Sequence, residues 1–599
     1  MKNKQSLLLL ASLAVTSLLA SCGSNQPSSG EANIKTVDFI TPNDEGEAQK
    51  SGIQLHLLFK GSSEIPYICL DEGFSIMSGI KAVRGKDERN QKYYYHITDD
   101  GKTATVVDEL NAKATFDLAN QTIVYDDLEN FCSMKPETML KPLSLLGLDG
   151  KAKAIKASKN DFTKAKQTFT IDLKKYDGVD LFAHNGKTYL PLVTFNDAFY
   201  GVFESSSIAY NFKDVYLVND GSLFTNLFGV SIPTPYGESF FNTTKKATIS
   251  KEIANFNYQE SCLMFDHFYG LKKDKGYTSF ASFIEQKGFK ADFENTNTKK
   301  ADDALTLTLS HLVDGHTSAV LNSCLYEFGT AENDAKRMNA ERQQWMSESE
   351  AFQLKRKQTG TAPLGNYYEP TTKTYFIAFD SFTPIDEAVL YSPNIVDNQE
   401  VAKTSTAVQF AQAYKYLSSA EGKEKVNTVV IDLATNDGGS SDALVFALST
   451  ILGDVKTNCV NPYTDAFNET VYHADLNLDG KIDAEDKGLL EKGYNITILD
   501  SRYSFSSGNA LPAIAKANSD KVKTLGETSG GGACAVRNSF NGLSSVYCLS
   551  STTQIVTKKG DQYVNVDKGV PADVEVAQDS MFDRLVVGKM ANDAFPGLK

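Results

Sequence analysis

Three separated segments contain residue types that nucleophilic catalysis requires. Ser506 follows the apolar run Ile496–Leu499 and precedes a helical stretch that ends near Ala517. A serine at the start of a helix can be a simple N-cap. The same place suits a nucleophile, because the helix N-terminus stabilises a developing oxyanion.

The other two segments are a histidine motif and a paired-glycine turn. His316 lies in His311–Thr317, directly after a predicted helix, although a lone histidine is more often structural than catalytic. Residues 432–440 read DLATNDGGS, so a buried strand runs into Gly438 and Gly439. Paired glycines let a backbone approach a ligand and point N–H groups at an anion. Taken alone, this is a common strand-to-helix turn.

In this order the three segments resemble the tail-specific, or C-terminal-processing, serine peptidase family. Its members have a His-Thr element, a "DLR-N-GG" turn and a "S-A-G/A-E" nucleophile turn. Residues 524–532 (TLGETSGGG) and 567–576 (DKGVPADVEV) resemble two further family segments. The resemblance covers about residues 246–580. It implies an α/β catalytic core of the Clp-protease/crotonase type, built from ββα repeats.

One branch of that family uses a Ser–Lys dyad, whereas a tricorn-like branch uses a histidine base. Residues 528–534 (TSGGGAC) lack the lysine, and His316 stands where the histidine branch has its base. Three positions depart from the family pattern. The serine beside the histidine is Gly315, the glutamate after the nucleophile turn is Asn509, and the arginine of "DLR" is Ala434.

The resemblance gives each candidate residue a role. Ser506 attacks the scissile carbonyl, and His316 takes its proton as general base. An unperturbed histidine pKa near about 6.5 suits that task around neutral pH. The backbone N–H groups of Gly438 or Gly439 and of Ser507 form the oxyanion hole. Two residues are candidates for the acidic partner of the histidine: Asp567 and Glu527.

Residues 475–486 (DLNLDGKIDAED) fit an EF-hand calcium loop, with glycine at position 6 and an acid at position 12. Aspartate at position 12 resembles dockerin-type loops. The alternative is an acidic surface turn. The predicted structural Ca²⁺ ligands are Asp475, Asn477, Asp479, Asp483, Asp486 and the Lys481 carbonyl. The loop lies in a predicted insertion at about 455–495, and the sequence has no zinc-type ligand cluster.

The N-terminus has the features of a secretory signal. Lys2 and Lys4 precede an apolar run from Leu7 to Ala20, which is short for a membrane-spanning helix. Residues 19–22 (LASC) resemble the lipobox of bacterial lipoproteins. That resemblance implies cleavage before Cys22, a lipid on its new N-terminus, and attachment to a membrane at the bacterial cell surface or in the periplasm.

Composition narrows the function classes. The 599 residues are 41% hydrophobic and 23% charged, as in ordinary globular proteins. A net charge of −15 argues against nucleic-acid binding. The seven cysteines other than Cys22 show no C-x-x-C spacing, and most are predicted to be small core residues.

The chain divides into five predicted segments. A signal peptide (1–21) and a flexible tether (22–50) precede a mainly β domain (51–245). A helical part with the histidine motif (246–360) leads into the α/β peptidase core (361–599). Predicted helices span 252–290, 301–313, 331–357 and 405–419, and predicted buried strands span 374–379 and 428–433.

The sequence therefore predicts an extracytoplasmic serine peptidase that acts on peptides or proteins. The alternative is a catalytically inactive surface-binding lipoprotein on a peptidase fold. A calcium-dependent adhesion or scaffold protein is a third candidate, although dockerins normally have two calcium loops and this chain has one. The oligomeric state and the role of residues 51–245 are open at this point.

Overall fold

A computed structural model describes most of the chain. The described residues are 32–84, 95–108, 111–131, 153–163, 168–200, 206–219, 222–227, 230–325, 339–359, 362–560 and 562–595. The predicted signal peptide, Cys22 and Cys132 lie outside these ranges. Within them, no helix has both the length and the apolar character that crossing a bilayer would need.

The N-terminal part of the chain is mainly β-structure, as the sequence predicts. Its strands are β1 (Ala32–Pro42), β2 (Ala48–Lys60), β3 (Tyr67–Cys69), β4 (Tyr95–Asp99), β5 (Thr103–Asp108), β6 (Lys113–Asp117), β7 (Thr122–Tyr125), β8 (Ile155–Thr163), β9 (Phe169–Asp172), β10 (Phe182–His184), β11 (Lys187–Pro191), β12 (Ser206–Tyr210), β13 (Val215–Asn219), β14 (Phe224–Leu227) and β15 (Val230–Pro233). Its helices are α1 (Leu70–Arg84), α2 (Leu128–Phe131), α3 (Leu192–Phe195) and α4 (Pro235–Phe241).

These strands form two larger sheets and one hairpin. One sheet has the order β10-β11-β3-β2-β1-β13-β12, the other has the order β4-β5-β6-β7-β9, and β14 pairs with β15. The Asn185-Gly186 pair connects β10 to β11, and both residues have positive φ (51° and 72°). Positive φ at both central residues is the geometry that a type I′ hairpin requires, and Asn-Gly is the residue pair that adopts it most readily.

Two strands differ from the predicted division of the chain. Strand β1 begins at Ala32, inside the predicted tether, and pairs antiparallel with β2. Its Val37 and Phe39 side chains enter the hydrophobic core, so residues 32–50 belong to the sheet. Strand β8, from the predicted N-terminal domain, pairs with a strand of the C-terminal half. The two halves of the chain therefore share a sheet.

The middle of the chain is helical. Its helices are α5 (Lys251–Phe268), α6 (Phe280–Lys287), α7 (Lys290–Phe293), α8 (Thr298–Ser310) and α9 (Ala340–Thr359). The single helix predicted over 252–290 is interrupted after Phe268. Tyr269, directly after it, has extended backbone angles (φ −83°, ψ 106°), and a Cβ at Gly270 would lie 2.0 Å from the Ser551 carbonyl oxygen. The helix therefore ends where the chain comes close to the backbone at Ser551.

Strands and helices alternate in the C-terminal part. The strands are β16 (Ser318–Leu321), β17 (Gly365–Glu369), β18 (Thr374–Ala378), β19 (Thr428–Asp432), β20 (Val455–Val460), β21 (Phe467–Ala474), β22 (Asn495–Asp500), β23 (Val522–Gly526), β24 (Cys534–Phe540), β25 (Val546–Lys559), β26 (Gln562–Asn565) and β27 (Val574–Glu575). The helices are α10 (Glu387–Leu390), α11 (Gln399–Ala402), α12 (Thr406–Ser418), α13 (Ala420–Lys425), α14 (Ser441–Leu452), α15 (Ser507–Asn518) and α16 (Arg584–Asp593).

A six-stranded sheet positions the candidate site. Its order is β17-β18-β19-β22-β23-β27, and all pairs except β17–β18 are parallel. Every residue of β18 and β19 is buried, as expected for parallel strands with helices on both faces. The predicted strands at 374–379 and 428–433 and the predicted helix at 405–419 are confirmed. A second sheet has the order β16-β25-β20-β21-β8, and β24 and β26 also pair with β25.

Candidate active site

The glycine and serine motifs leave the same edge of the six-stranded sheet. Strands β19 and β22 are parallel neighbours that end at Asp432 and Asp500. The glycine turn (residues 433–440) follows the first, and the serine turn (residues 501–506) follows the second. Carboxyl ends of adjacent parallel strands lie side by side, so the two turns meet there.

Ser506 has an unusual backbone conformation at the start of α15. Its φ is 56° and its ψ is −120°, and it occupies the N-cap position. Its hydroxyl makes no capping hydrogen bond, unlike that of an ordinary N-cap serine. A non-glycine residue in such a conformation is strained, and strain of this kind is concentrated at functional sites. The helix begins directly at Ser507, and Pro512 lies inside it.

The glycine turn lies against Ser506. A Cβ at Gly438 would be 2.5 Å from the Ser506 Cβ and 3.0 Å from its Oγ, and Gly438 has φ +108°. The Ser507 hydroxyl donates to the Gly439 carbonyl at 2.8 Å. The backbone N–H of Phe505 donates to the Asn436 carbonyl at 3.0 Å. Only glycine allows this separation between the two turns.

The candidate oxyanion donors differ in their hydrogen bonding. The Gly438 N–H donates to the Asn436 side-chain oxygen at 2.9 Å. No described residue accepts a hydrogen bond from the N–H groups of Gly439 and Ser507. Ser507 is the first residue of α15, where backbone N–H groups have no partner within the helix. Of the three predicted donors, Gly439 and Ser507 have the N–H groups that can bind an oxyanion.

His316 lies beside the serine turn. Its ring centroid is 4.7 Å from that of Phe505, the residue before Ser506. The imidazole is 8% exposed, and its Nδ1 is buried without a hydrogen-bond partner among the described residues. Burial lowers the pKa of His316 below its usual value, and the carboxylates of Asp314 and Asp567 oppose that shift. The ring is therefore neutral near pH 7, as a general base must be.

The two predicted acidic partners lie in different places. Asp567 interacts with His316, and its carboxylate accepts from the N–H groups of Gly532 at 3.3 Å and Ala533 at 3.2 Å. Glu527 instead accepts from the Arg502 N–H and from the Gln578 amide. The structure therefore brings Asp567, and not Glu527, to the histidine.

A third carboxylate near the histidine, Asp314, was not among the residues predicted from the sequence. Asp314 is buried, accepts from the His316 backbone N–H at 3.0 Å, and accepts from the Thr317 hydroxyl at 2.6 Å. It lies two residues from His316 in the motif HLVDGHT, and that short spacing was the available signal. Asp314 therefore holds the loop that carries His316, and its carboxylate raises the pKa of the imidazole.

Two departures from the family motifs have structural explanations. Asn509 is buried, donates to the Val566 carbonyl at 3.0 Å, and accepts from the Ser529 hydroxyl at 2.7 Å. Near Ala434, a buried guanidinium comes from α9. Arg356 pairs with Asp432 at 2.5 Å and donates to the Thr435 hydroxyl at 2.7 Å. Asn509 thus ties helix α15 to the segments around Ser529 and Val566, and Arg356 ties helix α9 to the end of β19.

The predicted calcium loop, residues 475–486 (the acidic loop), forms turns rather than an EF-hand with flanking helices. It follows β21 directly, and residues 475–494 contain no helix. Asp475 is fully buried and accepts from the Gly480 N–H at 2.7 Å and the Tyr391 hydroxyl at 2.8 Å. Asp486 accepts from the Leu476 N–H at 2.8 Å. No cluster of three metal-binding side chains occurs in the described ranges.

The cysteines are mostly core residues. Of the six described cysteines other than Cys22, five are buried, and Cys548 is half-buried. Burial in apolar surroundings raises the pKa of Cys459 to about 12. Such thiols are protonated and unreactive near pH 7.

Residues 391–576 match the family model described as peptidase family S41. This match supports the predicted family resemblance over a range that contains the glycine and serine motifs. The matched range includes Ser506, Gly438, Gly439 and Asp567, whereas His316 lies before it. No curated protein matches the chain significantly.

Three solved structures illustrate the similarity. A lipoprotein from Streptococcus agalactiae has 11% identity and a TM-score of 0.35, with 59% of this chain and all of that one covered. The photosystem II D1 C-terminal processing protease has 14% identity and a TM-score of 0.25, with 36% of this chain and 46% of that one covered. The tricorn protease has 10% identity and a TM-score of 0.32, with 95% of this chain and 73% of that one covered. TM-scores this low add nothing to the family match.

Proposed function

Because residues 391–576 carry a domain of peptidase family S41, we propose that this chain is a serine peptidase that hydrolyses peptide bonds through Ser506 and His316. One observation supports the proposal most directly. Ser506 is held in a strained conformation at a helix N-terminus, 3.0 Å from where a Gly438 Cβ would be, and beside the phenylalanine that touches the His316 ring.

The reaction would proceed by acyl transfer. Ser506 Oγ attacks the scissile carbonyl carbon while its proton moves to a ring nitrogen of His316. The oxyanion accepts hydrogen bonds from the N–H groups of Gly439 and Ser507. The imidazolium then gives its proton to the leaving amine, and the C–N bond breaks. Water hydrolyses the acyl-serine by the same steps in reverse order.

The nearby carboxylates would act on the charged intermediate. Asp314 and Asp567 both raise the pKa of His316, so both favour the imidazolium that forms during attack. Burial of the ring has the opposite and larger effect. The balance keeps the resting histidine neutral and makes its protonated form accessible in the transition state.

Covalent labelling tests this proposal. The chain lacking residues 1–22 is treated with a fluorophosphonate probe, alongside Ser506→Ala and His316→Ala. We expect labelling of the parent and loss in both variants, because only an activated serine reacts. Ser519→Ala, at the far end of α15, serves as a matched control that keeps its labelling. An unlabelled, folded parent would contradict the proposal.

That negative outcome would favour the second candidate, a catalytically inactive surface-binding protein on a peptidase fold. The same three variants separate the two functions, since binding alone needs no activated serine.

Two finer features of the family belong to the proposal. We propose that the catalytic core has the ββα repeats of the Clp-protease/crotonase type, which an experimental structure would test. We also propose preference for free substrate C-termini. Cleavage of matched peptides with free and amidated C-termini tests it, and equal rates would refute it.

We propose further that the protein acts outside the cytoplasm, anchored to a membrane by lipid on Cys22. The residues LASC at positions 19–22 support this. Expression of the full chain and of Cys22→Ala with a clickable palmitate analogue tests it. Equal labelling of the two chains would rule out the anchor.

We also propose that the acidic loop binds a structural Ca²⁺. Its side-chain donors are all oxygens, which calcium prefers, and Gly480 has φ +85° as position 6 of such a loop requires. The ligands would be Asp475, Asn477, Asp479, Asp483, Asp486 and the Lys481 carbonyl. Titration calorimetry of the chelator-treated protein with CaCl₂ tests this, and absence of binding heat would contradict it.

A further inference from the structure

The only tryptophan of the chain lies beside the proposed nucleophile. Trp345 is in helix α9, and its ring centroid is 6.3 Å from that of Phe505 and 6.1 Å from that of Tyr503. Phe505 in turn touches the His316 ring. An aromatic surface therefore extends from α9 to the candidate general base.

Helix α9 is held firmly by the face that carries Trp345. Residues 345, 348, 352 and 356 are spaced three or four apart and share one side of the helix. Arg356 forms the buried ion pair with Asp432, and Phe352 packs on Tyr503 at 5.2 Å. Glu348 pairs with Arg502 at 2.9 Å. The inward face of the helix is thus anchored along three of its four positions.

Two positions on that inward face stay partly exposed, Trp345 and Glu348, whereas Phe352 and Arg356 are buried. Glu348 is paired with Arg502, but the 37% exposed Trp345 has, among the described residues, only the ring contacts with Tyr503 and Phe505. Met346, the next residue, is also exposed. A large aromatic side chain that faces inward and still contacts solvent next to a candidate nucleophile has the properties of a binding wall.

We infer that Trp345 and Phe505 form an aromatic subsite that receives an apolar substrate side chain next to the scissile bond. This inference rests on the peptidase function proposed above and names the substrate class of the same site. The occupant follows from position: Phe505 adjoins Ser506 and packs on both His316 and Trp345, so this aromatic surface lies within reach of a side chain next to the scissile bond. An apolar side chain there would cover the exposed indole, whereas a charged one would lose hydration without gaining a partner.

The test compares peptides that differ only beside the scissile bond. The set carries Phe, Leu, Ala or Asp at that position, and kcat/KM is measured for the parent, Trp345→Ala, Trp345→Phe and Leu354→Ala. Leu354 lies on the opposite side of α9 and is 54% exposed, so it is a matched control. Loss of an apolar pocket contact changes selectivity by about 10–200-fold.

We expect the preference for Phe over Ala to fall by about tenfold or more in Trp345→Ala. Trp345→Phe restores most of it, and Leu354→Ala leaves it unchanged. An unchanged preference in Trp345→Ala, or an equal fall in Leu354→Ala, would overturn the subsite.

A binding measurement separates failure of the subsite from failure of the peptidase. In Ser506→Ala the single tryptophan reports on its own burial. Peptides with Phe should shift its emission to shorter wavelength more than peptides with Asp. The shift supports the subsite even if the parent proves inactive. No shift with any peptide of the set would overturn it.

Discussion

The serine turn and the acidic loop both follow strands of the C-terminal half, yet they differ in whether their polar atoms have hydrogen-bond partners. Around the serine turn, the Gly439 and Ser507 N–H groups and His316 Nδ1 have no partner among the described residues. In the acidic loop, the side-chain oxygens accept backbone N–H groups of the same loop.

The difference fits the roles proposed for them, a reactive site at the serine turn and a structural one in the acidic loop. A buried polar group without a partner among the described residues, such as His316 Nδ1, costs free energy. Donors that already point at the site, such as the N–H groups of Gly439 and Ser507, can bind a developing oxyanion without rearrangement. Self-satisfied Asx turns hold a loop in shape without any ligand. A metal added to the acidic loop would therefore strengthen an existing shape, whereas in the proposed mechanism the serine turn binds an oxyanion that forms only during the reaction.

The largest expected effect is removal of the nucleophile. Ser506→Ala should lower kcat by about 10⁶-fold, as loss of the nucleophile does in other serine peptidases. Peptide hydrolysis by the purified variant measures it, with circular dichroism to confirm folding. Hydrolysis at the parental rate would show that another residue carries the reaction, and the contrast between the two loops would then lose its basis.

The second effect is closure of the space between the two turns. Gly438→Ala places a methyl group 2.5 Å from Ser506 Cβ at a residue with φ +108°. Displacing the serine and the adjoining donor should lower kcat by about 10²–10³-fold. Gly493→Ala is the matched control, because its φ is +93° and no atom lies within 4 Å of the added Cβ. Equal losses in both variants would mean that backbone strain, not contact with Ser506, is responsible.

Sequence patterns predicted those parts of the site that depend on neighbouring residues. The apolar strands, the glycine turn and the serine at the head of α15 are local features, and each was identifiable from spacing. The choice between Asp567 and Glu527 was not, because it depends on how two distant loops pack. The pairing of Arg356 with Asp432 crosses 76 residues and lies two residues from Ala434, where the family pattern has arginine. No local pattern encodes such a contact.

The third prediction concerns the histidine titration. The Asp567 carboxylate raises the pKa of His316, so Asp567→Asn should lower that pKa further. The acid limb of kcat/KM, where the base becomes protonated, should then move to lower pH, and kcat should fall because the imidazolium is less stabilised. Glu527→Gln is the control, since Glu527 contacts Arg502 and Gln578 instead. If the acid limb moved only in Glu527→Gln, Glu527 would be the acidic partner of His316.

The smallest expected effect lies in the acidic loop. Calcium that binds only the folded chain adds about 2.7 kcal/mol of stability at a concentration 100 times its Kd. For a domain of 150–250 residues, each kcal/mol raises Tm by about 2–4 °C. The parent should therefore unfold at a higher temperature in CaCl₂ than in EGTA, by an amount that thermal unfolding at fixed ionic strength measures.

Asp479→Asn tests whether that shift arises in the loop. The amide keeps an oxygen that can accept the Lys481 N–H, the bond that Asp479 Oδ1 now accepts at 2.8 Å. The turn should persist while one ligand charge is lost, so the calcium-dependent rise should shrink and the Tm in EGTA should stay the same. A lower Tm in EGTA would show that the carboxylate supports the turn directly. A full calcium shift in the variant would place the ion elsewhere, and the acidic loop would then be a turn held by its own hydrogen bonds alone.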